Sequence, residues 1–332
     1  MRLGLAGGGT DVPPYSDLYG GAVLNATINM YAFATIIPRT DGKVVFKALD
    51  NGEELVCEAQ ERFVLDGKLD LLKGIYNRVV KDFGGEPLSF ELSTFVDAPP
   101  GSGLGTSSTL VVTILGAFAE WLKLPLGEYD LARLAYEIER VDLNMAGGKQ
   151  DQYAATFGGV NYMEFYNGDK VVVNPLRIRN EYLDELAYNL VLFNTETSRL
   201  SSEIIARQSK NIEERDPGSL DATHKLKIQS MMMKEAILKG ELDRIGEILD
   251  YGWHNKKLLA PGISNPMIDE LYQTALKCGA TGGKISGAGG GGFILFYCPN
   301  NTRHKVIDGL RKFGGLAHPY EFTVKGLKTW SI

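Results

Sequence analysis

Cysteine is scarce. The 332-residue chain holds three, Cys57, Cys278 and Cys298, far apart in sequence. An odd count without C-x-x-C excludes a disulfide framework and a thioredoxin-like redox pair, and fits a reducing, cytoplasmic location. Histidine is scarce too. His224, His254, His304 and His318 form no H-E-x-x-H and no His/Cys ligand spacing, which excludes a zinc-hydrolase site. Met231, Met232 and Met233 fall in a helical stretch and read as core packing. Positive charge is not in excess: Lys+Arg number 35 and Asp+Glu 41, a net charge of −6. Non-specific nucleic-acid binders usually carry the opposite sign, so no DNA or RNA partner is expected. The longest apolar run, near Leu110 to Ala119, is interrupted by Thr113 and Gly116. It is too short to cross a bilayer, and no membrane partner is expected. The opening MRLGLAGGGTD does not read as a secretory signal.

What the chain does have is core material and glycine. Hydrophobic residues make up 44% and charged residues 23%, which excludes wholesale disorder. At roughly 100–200 residues per domain, the length suggests two domains. The 39 glycines concentrate at Gly7 to Gly9, Gly101 to Gly105, Gly147-Gly148 and Gly282 to Gly292. Such clusters let a backbone turn sharply and approach a ligand.

Periodicity places the elements around these clusters. Residues 21–37, 43–47 and 88–96 read as strands. Residues 69–83 carry an i, i+3, i+4 apolar stripe and read as a helix. Residues 107–122 read as a buried helix, and 130–141 as a second helix with Asp130 as its N-cap. Residues 158–173 read as a hairpin turning at Asn167-Gly168. Residues 174–188 are the expected junction. Beyond it, strands are expected at 190–194 and 293–297, and helices around 199–215, 221–239, 241–258, 266–278 and 302–313.

Chemistry concentrates at Pro99-Pro100-Gly101-Ser102-Gly103-Leu104-Gly105-Thr106-Ser107-Ser108. A strand leads into a glycine loop that opens a helix, and a helix N-terminus offers unpaired N–H groups and partial positive charge. The result is a phosphate cradle. No Gly-Lys-Ser/Thr follows, so this is not a Walker A loop. Gly287, Gly289 and Gly292 fit G-x-G-x-x-G, but that segment runs into a strand where a dinucleotide fold needs a helix. The 282–292 cluster therefore reads as a second wall around a ligand held by the first loop. In Gly147-Gly148-Lys149-Gln150-Asp151-Gln152, the carboxylate is suited to accept a proton from a hydroxyl nucleophile. Glu137 and Glu139 lie upstream, and a carboxylate with a serine hydroxyl suits Mg²⁺. Asp11, after the first glycine cluster, is placed to hydrogen-bond sugar hydroxyls.

These segments resemble the signatures of the GHMP kinases. PPGSGLGTSS resembles the second signature, with Thr106 where serine is common. Lys284 to Gly292 resembles the third, and Arg2 to Asp11 the first in its sugar-kinase form. Together with Asp151-Gln152 they span the chain in the family's order. LGLAGGGTDVPPY, AGGKQDQYAATFGG and Thr197 to Glu203 are most similar to the subgroup acting on D-glycero-D-manno-heptose 7-phosphate.

The resemblance implies a two-domain fold. An α/β domain like the second domain of ribosomal protein S5 would occupy 1–180, and a ferredoxin-like α+β domain 181–332. It implies an ATP-dependent kinase acting on the anomeric hydroxyl of the heptose 7-phosphate. The product would be a 1,7-bisphosphate that feeds nucleotide-activated heptose for surface polysaccharide. Another sugar (fucose, mannose or a hexose phosphate) and a non-catalytic sensor are the alternatives, and a homodimer stays open. By position, Asp151 and Arg2 would be catalytic. Pro100 to Ser108 would hold the triphosphate of ATP, and Ser108 and Glu139 Mg²⁺, with Ser107 and Glu137 as substitutes. Thr10, Asp11, Gly287 and Gly289 would meet the sugar. Lys149 and Arg199 are the expected partners of its 7-phosphate. Only Met1 precedes Arg2, where family members carry a longer strand, so the first strand is expected to be short.

Overall fold

The computed structural model describes residues 1–99, 101–168, 170–197 and 201–332. The first half contains β1 (Arg2–Ala6), α1 (Tyr15–Tyr19), β2 (Gly21–Thr27), β3 (Ala32–Pro38), β4 (Lys43–Ala48), β5 (Glu53–Glu58), α2 (Asp70–Val79), β6 (Phe90–Val96), α3 (Thr106–Leu122), α4 (Glu128–Glu137), α5 (Gln150–Phe157), β7 (Val160–Phe165) and β8 (Val171–Pro175). The second contains α6 (Asn180–Asn189), β9 (Leu190–Asn194), α7 (Ser201–Glu213), α8 (Pro217–Lys239), α9 (Ile245–Lys256), α10 (Pro266–Lys277), β10 (Gly282–Ile285), β11 (Phe293–Tyr297), α11 (Arg303–Leu310) and β12 (Leu316–His318).

The strands form three four-stranded sheets, ordered β1-β2-β7-β8, β3-β6-β4-β5 and β10-β11-β9-β12. The first and third are antiparallel throughout, and the second contains one parallel pair, β4 with β6. β2 is buried at every position, because apolar side chains cover both its faces. Leu24 and Ala26 join a core with Leu192, Leu295, Met233 and Leu249 of β9, β11, α8 and α9. Val23 packs on the other face with Met163, Phe165 and Tyr153. One core thus runs between the first and third sheets. The segment after β12 also returns to the first half: Thr323 N–H donates to Thr27 O at 3.0 Å, and Leu327 packs under Gly116 of α3.

Two expectations need correction. Residues 21–37 are two strands, β2 and β3, not one. The chain breaks at Ile28 because the returning segment pairs there, with Ile28 bridging Phe322 and Asn29 N–H donating to Glu321 O. Asp130 is not the N-cap of α4. Gly127 holds that position, and the Asp130 carboxylate reaches back to accept its N–H at 3.3 Å. The segment 174–188, where the junction is expected, holds the end of β8 and nearly all of α6.

Candidate active site

The loop between β6 and α3 fixes the site. Gly105 caps α3 with φ +75°. Thr109 N–H is the donor that first finds an intrahelical acceptor, Gly105 O at 2.9 Å, so the preceding N–H groups face outward, as at any helix start. The loop is held against the 286–293 segment. Phe293 N–H donates to Ser102 O at 3.1 Å, and Ser286 Oγ donates to Gly103 O at 2.8 Å. Gly103 has φ +78°, and a Cβ there would stand 2.8 Å from the Ser286 carbonyl carbon and closer still to its oxygen. Glycine is what lets the two loops touch.

Arg2, 5% exposed at the start of β1, ties this loop to α5. Its Nε donates to Asp151 Oδ1 at 2.7 Å, its Nη2 lies 2.6 Å from the same oxygen, and its Nη1 donates to Gly103 O at 2.6 Å. Both contacts to Asp151 use Oδ1, which leaves Oδ2 as the oxygen open to a ligand hydroxyl.

A second cluster sits at the first turn of α3. Ser107 Oγ and Ser108 Oγ donate to the two oxygens of Glu139, at 3.0 and 2.6 Å. Gln152 Nε2 donates to both Ser108 Oγ, at 3.1 Å, and Glu139 Oε2. Glu139 is 1% exposed. Glu137 turns away and pairs with Arg78. Across the cavity, the Asp11 carboxylate accepts from Gln150 N–H at 3.2 Å and Gln150 Nε2 at 3.0 Å. Gly148 has no Cβ to contest the space occupied by Asp11 Oδ2.

These groups share one cavity of about 830 Å³, which reaches from Asp50 and Asp70 past the α3 N-terminus to Gly8, Gly9 and Asp11. That volume suits a nucleotide together with a small acceptor. Comparison with known proteins decides the family. The family model for the GHMP kinases N terminal domain matches residues 70–159, and that for the GHMP kinases C terminal matches residues 233–316. D-glycero-alpha-D-manno-heptose 7-phosphate kinase of Campylobacter jejuni is 49% identical, covering 100% of this chain and 97% of the relative.

The chain is a GHMP kinase.

A solved D-glycero-D-manno-heptose 1-phosphate kinase from Bacteroides thetaiotaomicron superposes with TM-score 0.83 at 44% identity, over 100% of this chain and 98% of that one. Galactokinase of Lactococcus lactis, solved with galactose, shares the fold at TM-score 0.75 and 21% identity, over 97% and 91%. The expected two-part GHMP kinase fold, mixed α/β, is therefore the observed one. Among the described residues, no helix is long and apolar enough to cross a membrane.

The kinase brings most of the expected residues together. Arg2, Asp11, Gly101, Ser102, Gly103, Gly105, Thr106, Ser107, Ser108, Glu139, Asp151 and Gly287 all line the cavity. Others point elsewhere. Leu104 is fully buried in the core. Thr10 spends its hydroxyl on Gly7 O and Ala22 O, bracing the turn after β1. Gly289 backs onto Ile263. Lys149 is absent from the cavity lining; its Nζ contacts Asp17 at 3.3 Å and lies over the Tyr136 ring. Pro100 and Arg199 lie outside the described residues.

Among the lining residues that sequence reasoning missed are Arg140, Gln208, Lys256 and Lys284, the last seen only as part of a glycine motif. Burial lowers the Lys256 ammonium to about 8, against the raising pull of Asp11. Burial, with Lys256 and Arg2 nearby, pushes Lys284 well below its ordinary value. Lys284 Nζ donates to Gly4 O. No local spacing marks these residues: Gln208, Lys256 and Lys284 belong to otherwise ordinary elements, α7, α9 and β10, and Arg140 to the π-helical turn 138–142 that follows α4.

Proposed function

We propose that this kinase transfers the γ-phosphate of ATP to the anomeric hydroxyl of D-glycero-D-manno-heptose 7-phosphate, a step toward nucleotide-activated heptose. The observation that carries the reading is the Arg2–Asp151 pair at the mouth of the glycine loop, in a chain 49% identical to a heptose 7-phosphate kinase. Phosphoryl transfer asks the protein chiefly for positioning and charge neutralisation. In this reading Asp151 Oδ2 accepts the proton of the attacking hydroxyl. Arg2 holds the carboxylate in place and offsets charge beside the transferred group. The N–H groups at the α3 N-terminus, Gly105 to Ser108, take the phosphate oxygens, while Ser102 N–H and Leu104 N–H brace the loop on Pro99 O and Ser102 Oγ, and Asp11, fixed by Gln150, orients the sugar.

Ser107, Ser108 and Glu139 would hold Mg²⁺. The donor set fits: one buried carboxylate and two hydroxyls converge, and Mg²⁺ takes few protein oxygens while keeping waters and substrate phosphates. The chemistry it would supply there is neutralisation of charge on the nucleotide phosphates.

The test is ³¹P NMR of the product formed from ATP, Mg²⁺ and the heptose 7-phosphate. The expected product retains the 7-phosphate signal and gains one coupled to the anomeric proton. The names of the two heptose-kinase relatives place the phosphate differently, at position 7 and at position 1, and this spectrum reads the position directly. Turnover confined to unphosphorylated sugars would overturn the assignment.

A further inference from the structure

The cavity does not end at the catalytic pair. Its far end is lined by Gly8, Gly9 and Asp11 from the first half, and by Gln208 of α7 and Lys256 of α9 from the second. Both of the last two are buried, Gln208 at 6% and Lys256 at 3% exposure.

Neither has its polar group satisfied in the ordinary way. Gln208 Nε2 is a buried donor without a hydrogen-bond partner. Among the described residues, no carboxylate lies within ion-pair distance (4.0 Å) of Lys256 Nζ; Asp11 acts on it only at longer range. An unpaired buried cation and an orphaned donor are each costly. Two of them on one wall of a ligand cavity call for an anion that arrives with the ligand. Arg2 and Lys284 add positive charge nearby.

We propose that Lys256 and Gln208 form the subsite for a second, non-transferred phosphate on the acceptor. This rests on the reading of the acceptor as a sugar phosphate. The γ-phosphate meets Arg2 and the α3 N-terminus. The phosphate that stays on the acceptor meets Lys256 and Gln208, with the sugar between them on Asp11. Lys149, by contrast, already faces Asp17. The anion also draws Lys256 toward its charged form, so acceptor binding above pH 8 takes up a proton. Asp11, Arg2 and Lys284 are the other charged groups that face this ammonium.

The experiment compares kcat/KM for the heptose 7-phosphate and the free heptose in wild type, Lys256→Met and Gln208→Leu. In wild type the phosphorylated sugar is strongly preferred. Lys256→Met lowers that preference by roughly 100-fold, as expected for truncating one partner of a buried charge pair, and Gln208→Leu by about 10-fold. A large wild-type preference that survives Lys256→Met overturns the inference and leaves the proposed function standing. A wild-type preference near one overturns the acceptor assignment instead. In that case a calorimetric titration of inorganic phosphate into protein loaded with Mg²⁺ and a non-hydrolysable ATP analogue decides the subsite. Phosphate binding with proton uptake at pH 8.5, both lost in Lys256→Met, sustains an anion site; equal binding by the two proteins refutes it.

Discussion

Replacing Asp151 by Asn separates chemistry from binding. The amide keeps the shape of the carboxylate and one oxygen for Arg2 Nε, now 2.7 Å away, but it cannot take a proton from the acceptor hydroxyl. Loss of a positioned base costs roughly 10²–10⁴ in rate, so kcat should fall by that factor. In the proposed function nucleotide binding rests on the α3 N-terminus and on Ser107, Ser108 and Glu139; Asp151 packs beside Gly105, but its side-chain hydrogen bond and ion pair go to Arg2. The Kd of a non-hydrolysable ATP analogue should therefore change by less than about threefold. Stability should fall as well, because Arg2 is buried and loses its counter-ion. Breaking a fully buried pair costs about 3–5 kcal/mol. Here the Asp151 side chain is 22% exposed and Arg2 keeps its bond to Gly103 O, so about 1–2 kcal/mol is expected in urea unfolding. The assays are coupled-enzyme turnover, calorimetry with the analogue and urea melts. A folded variant with kcat within tenfold of wild type would refute the base, and one that no longer bound the analogue would refute the division of labour.

Three further outcomes are expected. Gly103→Ala should destabilise by about 2–5 kcal/mol, combining a left-handed backbone with overpacking against Ser286. Gly42→Ala, also at positive φ but in open space, should lose only the backbone part, about 1–2 kcal/mol, and equal urea midpoints would contradict the loop contact. Glu139→Gln should raise the Mg²⁺ concentration needed for half-maximal turnover by roughly 10–100-fold, and an unchanged Mg²⁺ titration would remove Glu139 from the metal. Lys256→Met should stabilise the empty protein at pH 7. Burial depresses the folded-state ammonium from 10.5 to about 8, so between pH 8 and 10.5 the unfolded chain binds more protons and wild-type stability rises with pH. The variant's advantage, up to about 3 kcal/mol at pH 7, should fade across that window in urea melts, and a pH-independent difference would argue against a charged Lys256.

Much of the site was legible because its motifs are local. A run of glycines ending in Gly105-Thr106-Ser107-Ser108 dictates its own backbone, and strand, loop and helix N-terminus follow in order with any fold around them. The Ser108–Glu139 pair was readable for a related reason: Glu139 sits in the π-helical turn that follows α4 and Ser108 in the first turn of α3, and both carry chemistry a core position rarely tolerates. Periodicity likewise found the buried helix α3, the strongly amphipathic α2 and the apolar strands β9 and β11. It failed where a distant segment intervened, as at Ile28, where the returning chain around Phe322 divides one β-branched run into two strands.

The sequence alone determined the kind of chemistry, through backbone conformations that only glycine allows and hydroxyl and carboxylate groups at fixed spacing beside them. The tertiary structure alone decided which charged side chains serve it. Arg2 meets Asp151 across 149 residues, and nothing near Lys149 in the sequence says that it turns to Asp17. Nothing near Lys256 says that its ammonium is buried on a cavity wall with no carboxylate, among the described residues, within ion-pair distance. A long side chain at a helix end points to solvent, to a neighbour or to a ligand according to what packs beside it, and packing is set by the whole chain.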